Sequence, residues 1–373
     1  MNLFDYVDKT ELEQAIEGGL VNIRESGDGM EIYNYSKSAQ ITSGAWDIEA
    51  VRKCRGIIVH SETKDILARA WEKFFNYGQL DPSTLDHFAS VEVTDKMDGS
   101  LGIIHVDAAG HLRVATRGSF HSEQALWATE WISSPENQHK FDREALIHNI
   151  LRGVTYLVEI IYPGSTVVVQ YGDTEELVLL GSVLIDSGVY RGPDQTAEGV
   201  WFGEITDTFQ YTTLTEALAA PPRPNREGLC VRFLGEPTIV KVKQEDYIRL
   251  HRIVTGLSRK SVWERWASDL SLEDFMAPLP DELHSWVREV DQEISDAVET
   301  IEASLHEQVA SIQASLGEGY TQKDFALEVR ALDYPYKDLI FLVHSGRSPL
   351  PGILKILRKN FRGDTSPRPD IDS

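Results

Sequence analysis

The residues of this 373-residue chain best equipped for chemistry are lysines in settings that do not suit lysine. Lys96 precedes Met97, Asp98, Gly99 and Ser100 between two strand-like runs. A lysine beside a tight glycine turn can point into a cleft where a phosphate approaches the backbone closely. Crowding by other cations would lower its pKa and expose a free amine nucleophile. Four-residue patterns recur by chance, so K-x-D-G taken alone reads first as an ordinary polar turn. Lys241 and Lys243 alternate in IVKVK, so a strand there projects both to one face. Such a pair can hold phosphates and crowd Lys96; alone, it fits a solvated strand face equally well. Glu159 lies in YLVEIIYP with apolar neighbours on both sides, where a carboxylate needs a donor, a cation or a hydrated metal. Glu227 opens EGLCVRF. With Asp98 these acids can hold Mg²⁺, a hard ion that takes oxygen ligands and keeps several waters. For each acid alone, a salt bridge is the commoner arrangement.

Those residues must be positioned by a strand-rich region. The sequence predicts a short helix after Thr10 and strands around Met30–Tyr35 and Gly56–His60. Residues 90–120 read as a hairpin, VEVTDKMDGSLGIIHV, then a turn at 107–110, then HLRVAT. Helices are expected over 122–131 and 142–151, followed by three β runs, TYLVEII, STVVVQY and ELVLLGSVLI. The prolines of AAPPRPNR mark a loop, and GLCVRF and TIVKVK form a further strand pair. After residue 250 the pattern changes. From Leu283 to Leu316 apolar residues recur at steps of three or four, the signature of one long amphipathic helix. Its stripe fits a core face better than a coiled-coil seam. Helices follow over 321–332, 335–344 and 351–361. The expected class is therefore α+β: antiparallel sheets with flanking helices over 1–250, an all-helical domain over 251–363, and a disordered tail over 364–373.

Composition narrows the function. The net charge of -23 argues against a sequence-blind DNA coater, which needs many phosphate contacts. It leaves room for a nucleic-acid enzyme with a local basic patch. Two cysteines, Cys54 and Cys230, exclude a disulfide scaffold and a four-thiolate zinc site. No P-loop, HExxH, CxxC or GxSxG pattern occurs. With no apolar run of about 20 residues and no secretory signal, the expectation is a cytoplasmic protein without membrane contact.

Read in order, KMDGS (96–100), YLVEII (156–161), EGLCVRF (227–233) and KVK (241–243) resemble motifs I, III, IV and V of the covalent nucleotidyltransferases, the superfamily of polynucleotide ligases and capping enzymes. KCRGIIVH, WEKFFNYG, RGSFHSEQALWA, EIYNYS and KVKQEDYIRLH resemble the bacteriophage RNA ligases that repair cleaved tRNA, the first class of RNA ligases. The likeness spans roughly residues 30–250.

That resemblance implies an ATP-dependent ligase. Lys96 would attack the α-phosphate of ATP to form lysyl-AMP and expel pyrophosphate. AMP would pass to a 5′-phosphate RNA end, and a 3′-hydroxyl would then close the phosphodiester. By the same likeness Tyr33, Arg55, Lys73, Arg117, Glu159, Lys241 and Lys243 contact the nucleotide, with Phe75 as a functional aromatic. Arg117 stands where the phage relative has lysine, keeping charge but not geometry. Asp98, Glu159 and Glu227 would surround Mg²⁺, with Mn²⁺ as its substitute, and Asp281 in LPDELHSW matches a further metal-proximal acid. Implied partners are single-stranded RNA ends or a cleaved tRNA loop, with an end-healing kinase or phosphatase, and the helical domain would give tRNA specificity. The basic stretch Lys355, Arg358, Lys359 and Arg362 is a candidate contact for RNA phosphates. Two alternatives stay open: a DNA-joining or capping nucleotidyltransferase, and an RNA-end binder without turnover.

Overall fold

The computed structural model describes residues 1–165, 168–245, 247–248, 256–268, 270–277, 279 and 283–361. It is an α+β chain that divides into two compact units, Met1–His251 and Arg252–Ser373.

The first unit carries three sheets. One has the order β1 (Val21–Glu25), β2 (Met30–Tyr35), β3 (Arg55–His60), β4 (Ile66–Arg69), all antiparallel. The second has the order β11 (Tyr190–Arg191), β10 (Glu176–Leu184), β9 (Val154–Ile161), β7 (Ser100–Val106), β8 (Leu112–Thr116). The third has the order β12 (Thr208–Phe209), β6 (Val91–Lys96), β13 (Gly228–Phe233), β14 (Ile239–Lys243), β5 (Phe75–Asn76). Among these strands only the two-residue β5 runs parallel to its neighbour, pairing Phe75 with Val240.

Burial explains the sheets. β6 alternates buried and half-buried residues, so one face rests on a core with Val231, Phe233 and Val240. β9 is buried along nearly its whole length, as a central strand covered on both faces must be. The helix Glu123–Ser133, capped by Ser122, and the helix Arg143–Leu151, capped by Asp142, cover that sheet with Trp131, Ile132, Leu146 and Ile150.

Two strand expectations fail for physical reasons. β7 and β8 do form a hairpin, but β6 belongs to another sheet, so the chain crosses between sheets at Met97–Gly99. The apolar run STVVVQY supplies no strand over its described residues. Instead the Val168 and Val169 N–H groups donate to the Asp98 carboxylate at 2.9 and 2.8 Å. Hydrophobic content alone had suggested a ladder that these amides do not make.

In the second unit the long helix spans His284–Leu316, and Val287, Val290, Ile294, Val298, Ile301, Leu305, Val309 and Ile312 are buried along one side. Helices Arg259–Trp266, Gln322–Ala331, Lys337–His344 and Leu350–Leu357 pack against it, so the stripe is a core face. The last helix is shorter than expected. Arg358 caps it and its guanidinium lies 5.8 Å from the Trp263 ring, while Lys355 and Lys359 are exposed. Arg362 and the tail 364–373 lie outside the described residues.

Candidate active site

The crossing from β6 to β7 places Lys96 where two sheets separate. Its Nζ lies 2.5 Å from Glu227 Oε2, and Lys243 Nζ lies 3.3 Å from Glu227 Oε1. Register makes this arrangement: Gly228 pairs with Lys96 on one side and Lys243 on the other. A Cβ on Gly228, at φ +156°, would sit 2.2 Å from Val242 O, so only glycine lets β13 and β14 approach here. Lys241 shares the face of Lys243 and lies 5.2 Å from the Phe74 ring centroid.

Glu159 comes from the opposite sheet. It is 8% exposed, and its Oε1 accepts the Gly99 N–H at 2.9 Å. Gly99 is itself pressed onto β9: a Cβ there would meet Ile160 O at 2.6 Å. Burial pushes the Glu159 carboxyl up to about 8, opposed by the Lys96 ammonium and reinforced by Glu227. Glu227 is held below the usual carboxylate range: burial would raise it, but Lys96 and Lys243 prevail.

Lys96 departs from expectation. Burial pulls its pKa down, but Glu227 more than offsets this, and the net shift is upward. Cation crowding does not free the amine in this state, because the carboxylate between the two lysines neutralises it.

A cleft of about 740 Å³ opens at Lys96. Arg55, Arg117 and Glu159 line it. Arg117 donates to the Tyr35 hydroxyl, and its guanidinium lies 4.4 Å from the Tyr35 ring centroid. Arg55 lies 5.0 Å from the Phe74 ring and donates to Trp71 O at 3.2 Å. Burial lowers the Arg55 pKa, with Tyr35 opposing and Arg117 adding to the shift.

The other expected site residues have the following surroundings. Tyr33 is buried in the core below the first sheet and donates to Glu31 at 2.9 Å, so it does not line the cleft. Lys73 is held among aromatic rings, 5.0 Å from Trp46, 5.1 Å from Phe75 and 5.9 Å from Tyr35. Phe75 packs edge-on against Trp46, and it is Phe74 that faces the cleft. Asp98 accepts from the Val168 and Val169 N–H groups and from the Tyr247 hydroxyl, and so latches those segments to the crossing between the sheets. Both Glu227 oxygens are engaged by lysines. Among the described residues no three acidic, histidine or cysteine side chains converge as a metal site. Asp281 lies outside the described residues. Cys54 and Cys230 are free thiols pushed up by burial to about 12 and about 11, as small buried groups are.

A lysine amine beside a carboxylate of opposing role, in a cleft rich in guanidinium groups, is built for phosphoryl chemistry. The sequence model of the RNA ligase family matches residues 53–248. The chain belongs to the RNA ligase family. It is 26% identical over 220 residues to a Thermovibrio ammonificans protein named "Putative RNA ligase", covering 57% of this chain and 56% of that one. It is 30% identical over 106 residues to RNA ligase 1 of bacteriophage TS2126, covering 26% of each. A solved Naegleria gruberi RNA ligase with pyrophosphate is 20% identical, with a TM-score of 0.39 over 49% of this chain and 58% of that chain. The chain thus spans about half the length of the first of these relatives.

Tyr35 and Phe74 are among the cleft residues that the sequence does not single out. Each stands within two positions of a residue that was chosen, Tyr33 and Phe75. For Tyr35 the signal was available in part: alternation in IYNYS gives Tyr33 and Tyr35 one face, and only Tyr35 stands at the strand end, where Asn34 pairs with Arg55.

Proposed function

We propose that this chain is an ATP-dependent RNA ligase that joins 5′-phosphate and 3′-hydroxyl ends through lysyl-AMP and adenylylated RNA. The observation that carries the reading is the Lys96 amine, fixed at a strand end in a cleft of cations and paired with a carboxylate that a second lysine shares.

The steps are those the family likeness implies, and the geometry supports them. Lys96 gives up its proton to solvent, attacks the α-phosphorus of ATP and forms an N–P bond as the α–β phosphoanhydride bond breaks and pyrophosphate leaves. Arg55, Arg117, Lys241 and Lys243 are the groups that can meet the charge spread over the phosphates. Release of Glu227 from Lys96 toward Lys243 would let the amine lose its proton. A 5′-phosphate of RNA then displaces the lysine from AMP, and a 3′-hydroxyl displaces AMP from the activated end.

The donor set suits a cation that keeps its water. Glu159 is the buried carboxylate that holds its proton to about pH 8, and a hydrated Mg²⁺ or Mn²⁺ would replace that proton. When bound, such an ion neutralises charge developing on the phosphates.

RNA and tRNA repair is the setting we infer. Nucleolytic breaks that leave other termini would need a kinase or phosphatase to supply the 5′-phosphate and 3′-hydroxyl. We place the chain in a reducing cytoplasm, in keeping with its two free thiols. No described helix is long and apolar enough to cross a membrane.

The test is joining of a 5′-phosphorylated single-stranded RNA, with GTP and a DNA copy of the strand as comparisons. Joined RNA with ATP is expected. Joining only of DNA, or transfer only of GMP, would favour the other nucleotidyltransferase reactions, and binding without joining would leave an RNA-end binder.

A further inference from the structure

The cleft has two chemically different parts. Near Lys96 its wall includes the carboxylates Glu92, Asp95 and Glu159. A second part is built by β1, β2, the helix Lys37–Ile41 and residues 116–124, and the lining these elements supply holds no carboxylate among the described residues. It presents Arg24, Lys37 and Arg117 as cations, and Asn22, Gln40 and Gln124 as amides.

These side chains form one wall. Asn22 pairs across the strands with Asn34, and Arg24 shares the face of Asn22 two residues on. Gly118 lies on Asn34: a Cβ there would meet Asn34 Nδ2 at 3.2 Å. The tip of the β1–β2 hairpin is tied to the same loop by His121 Nε2 and Ser26 O at 3.0 Å. Thr116 and Ser122 hydroxyls lie 3.2 Å apart and close the loop onto the helix that follows. Arg117 ties residues 116–124 to this wall by donating to the Tyr35 hydroxyl.

A run of cations and amides without acids, in a chain of net charge -23, selects for an anionic ligand with hydrogen-bonding groups along its length. Asn22, Arg24 and Lys37 are exposed, which suits a polymer held by several weak contacts better than an enclosed small molecule. β1 is an edge strand, so nothing further in its sheet covers the wall from that side. All but Thr116, Arg117, Gly118, His121, Ser122 and Gln124 of these residues precede the segment 53–248 that the family model matches.

We propose that this wall holds the sugar–phosphate backbone of the single-stranded RNA whose 5′-phosphate receives AMP, with Arg24 and Lys37 on phosphates and the amides on ribose hydroxyls. The proposal rests on the RNA ligase reading. Arg24 and Lys37 are not among the groups assigned to adenylyl transfer, so RNA binding and self-adenylylation should separate.

The experiment measures anisotropy of a fluorescent 5′-phosphorylated single-stranded RNA on the full chain over a salt series. It compares wild type, the double variant Arg24→Gln/Lys37→Gln, and Lys9→Gln as a surface control. Label from ATP on Lys96 is followed in parallel. The expected result is about tenfold weaker RNA binding in the double variant. The log–log salt slope should become shallower by about 1.4 for two lost single-strand contacts. Lys9→Gln should bind as wild type does, and labelling should be equal in all three. Unchanged affinity and slope in the double variant would overturn the proposal, as would an equal loss in Lys9→Gln. Loss of labelling with RNA binding intact would also overturn it, assigning the wall to ATP. Absence of label on the wild type would instead strike the ligase reading, while the anisotropy series still decides whether the wall binds RNA.

Discussion

The two units of the chain bury opposite things. In Met1–His251 the interior includes Arg69, Asp95, Asp98, Glu159 and Glu227, each under 9% exposed. In Arg252–Ser373 the long helix buries an apolar stripe, and His284 is the one buried polar side chain among the described residues there. Buried charge is costly unless it is paired. The first unit accepts that cost at Lys96, Glu227 and Lys243, where the charges neutralise one another. In the second unit the described residues of the central helix turn an apolar stripe inward. Chemistry therefore belongs where burial and charge coincide.

Four changes sharpen that contrast. Lys96→Ala should reduce RNA joining by on the order of 10⁶-fold, as expected when a covalent nucleophile is lost, with circular dichroism unchanged. A joining assay with long incubation checks it. Glu227→Gln leaves two cations buried against a neutral group. It should destabilise the first unit by about 3–5 kcal/mol and, because Lys96 and Lys243 lose the group that fixes their positions, slow adenylylation by about 100-fold despite easier loss of the amine proton, read by urea unfolding and by label incorporation. Leu305→Ala, in the apolar stripe, should cost about 2–5 kcal/mol of stability but leave adenylylation within about twofold. If it instead removed labelling as Glu227→Gln does, the contrast would collapse.

The mildest change is pH. Glu159 keeps its proton up to about pH 8. A carboxyl whose folded pKa is raised adds stability below its unfolded value, and that contribution is lost as pH rises through about 8. A cation must displace the same proton. Below pH 8 the Mg²⁺ needed for half-maximal adenylylation should fall by up to about tenfold per pH unit as pH rises. In Glu159→Gln the remaining activity should show no such slope, as titrations at pH 6.5 and 8.5 would show.

The same contrast explains what could be read from the sequence. The helix His284–Leu316 was legible almost to the residue, because a 3.6-residue period and a packed face carry the same information. The lysines and acids were legible as types and spacing, and Lys96, Glu159, Glu227 and Lys243 do converge. The split of 90–106 between two sheets was not legible, since periodicity says nothing about which partner a strand takes. Tyr35 and Phe74 were missed for a related reason: side-chain direction at a strand end depends on where the strand stops. The upward shift of Lys96 was hidden because it depends on Glu227 lying across the strand pair rather than on the nearby lysines.

The central claim is that Lys96 is the group that takes AMP. The direct measurement is intact and peptide mass spectrometry of the full chain, stripped with pyrophosphate and then incubated with ATP and Mg²⁺. The account predicts a single AMP adduct on the peptide carrying Lys96, absent from Lys96→Ala. An adduct on another residue, or none after stripping, would contradict it.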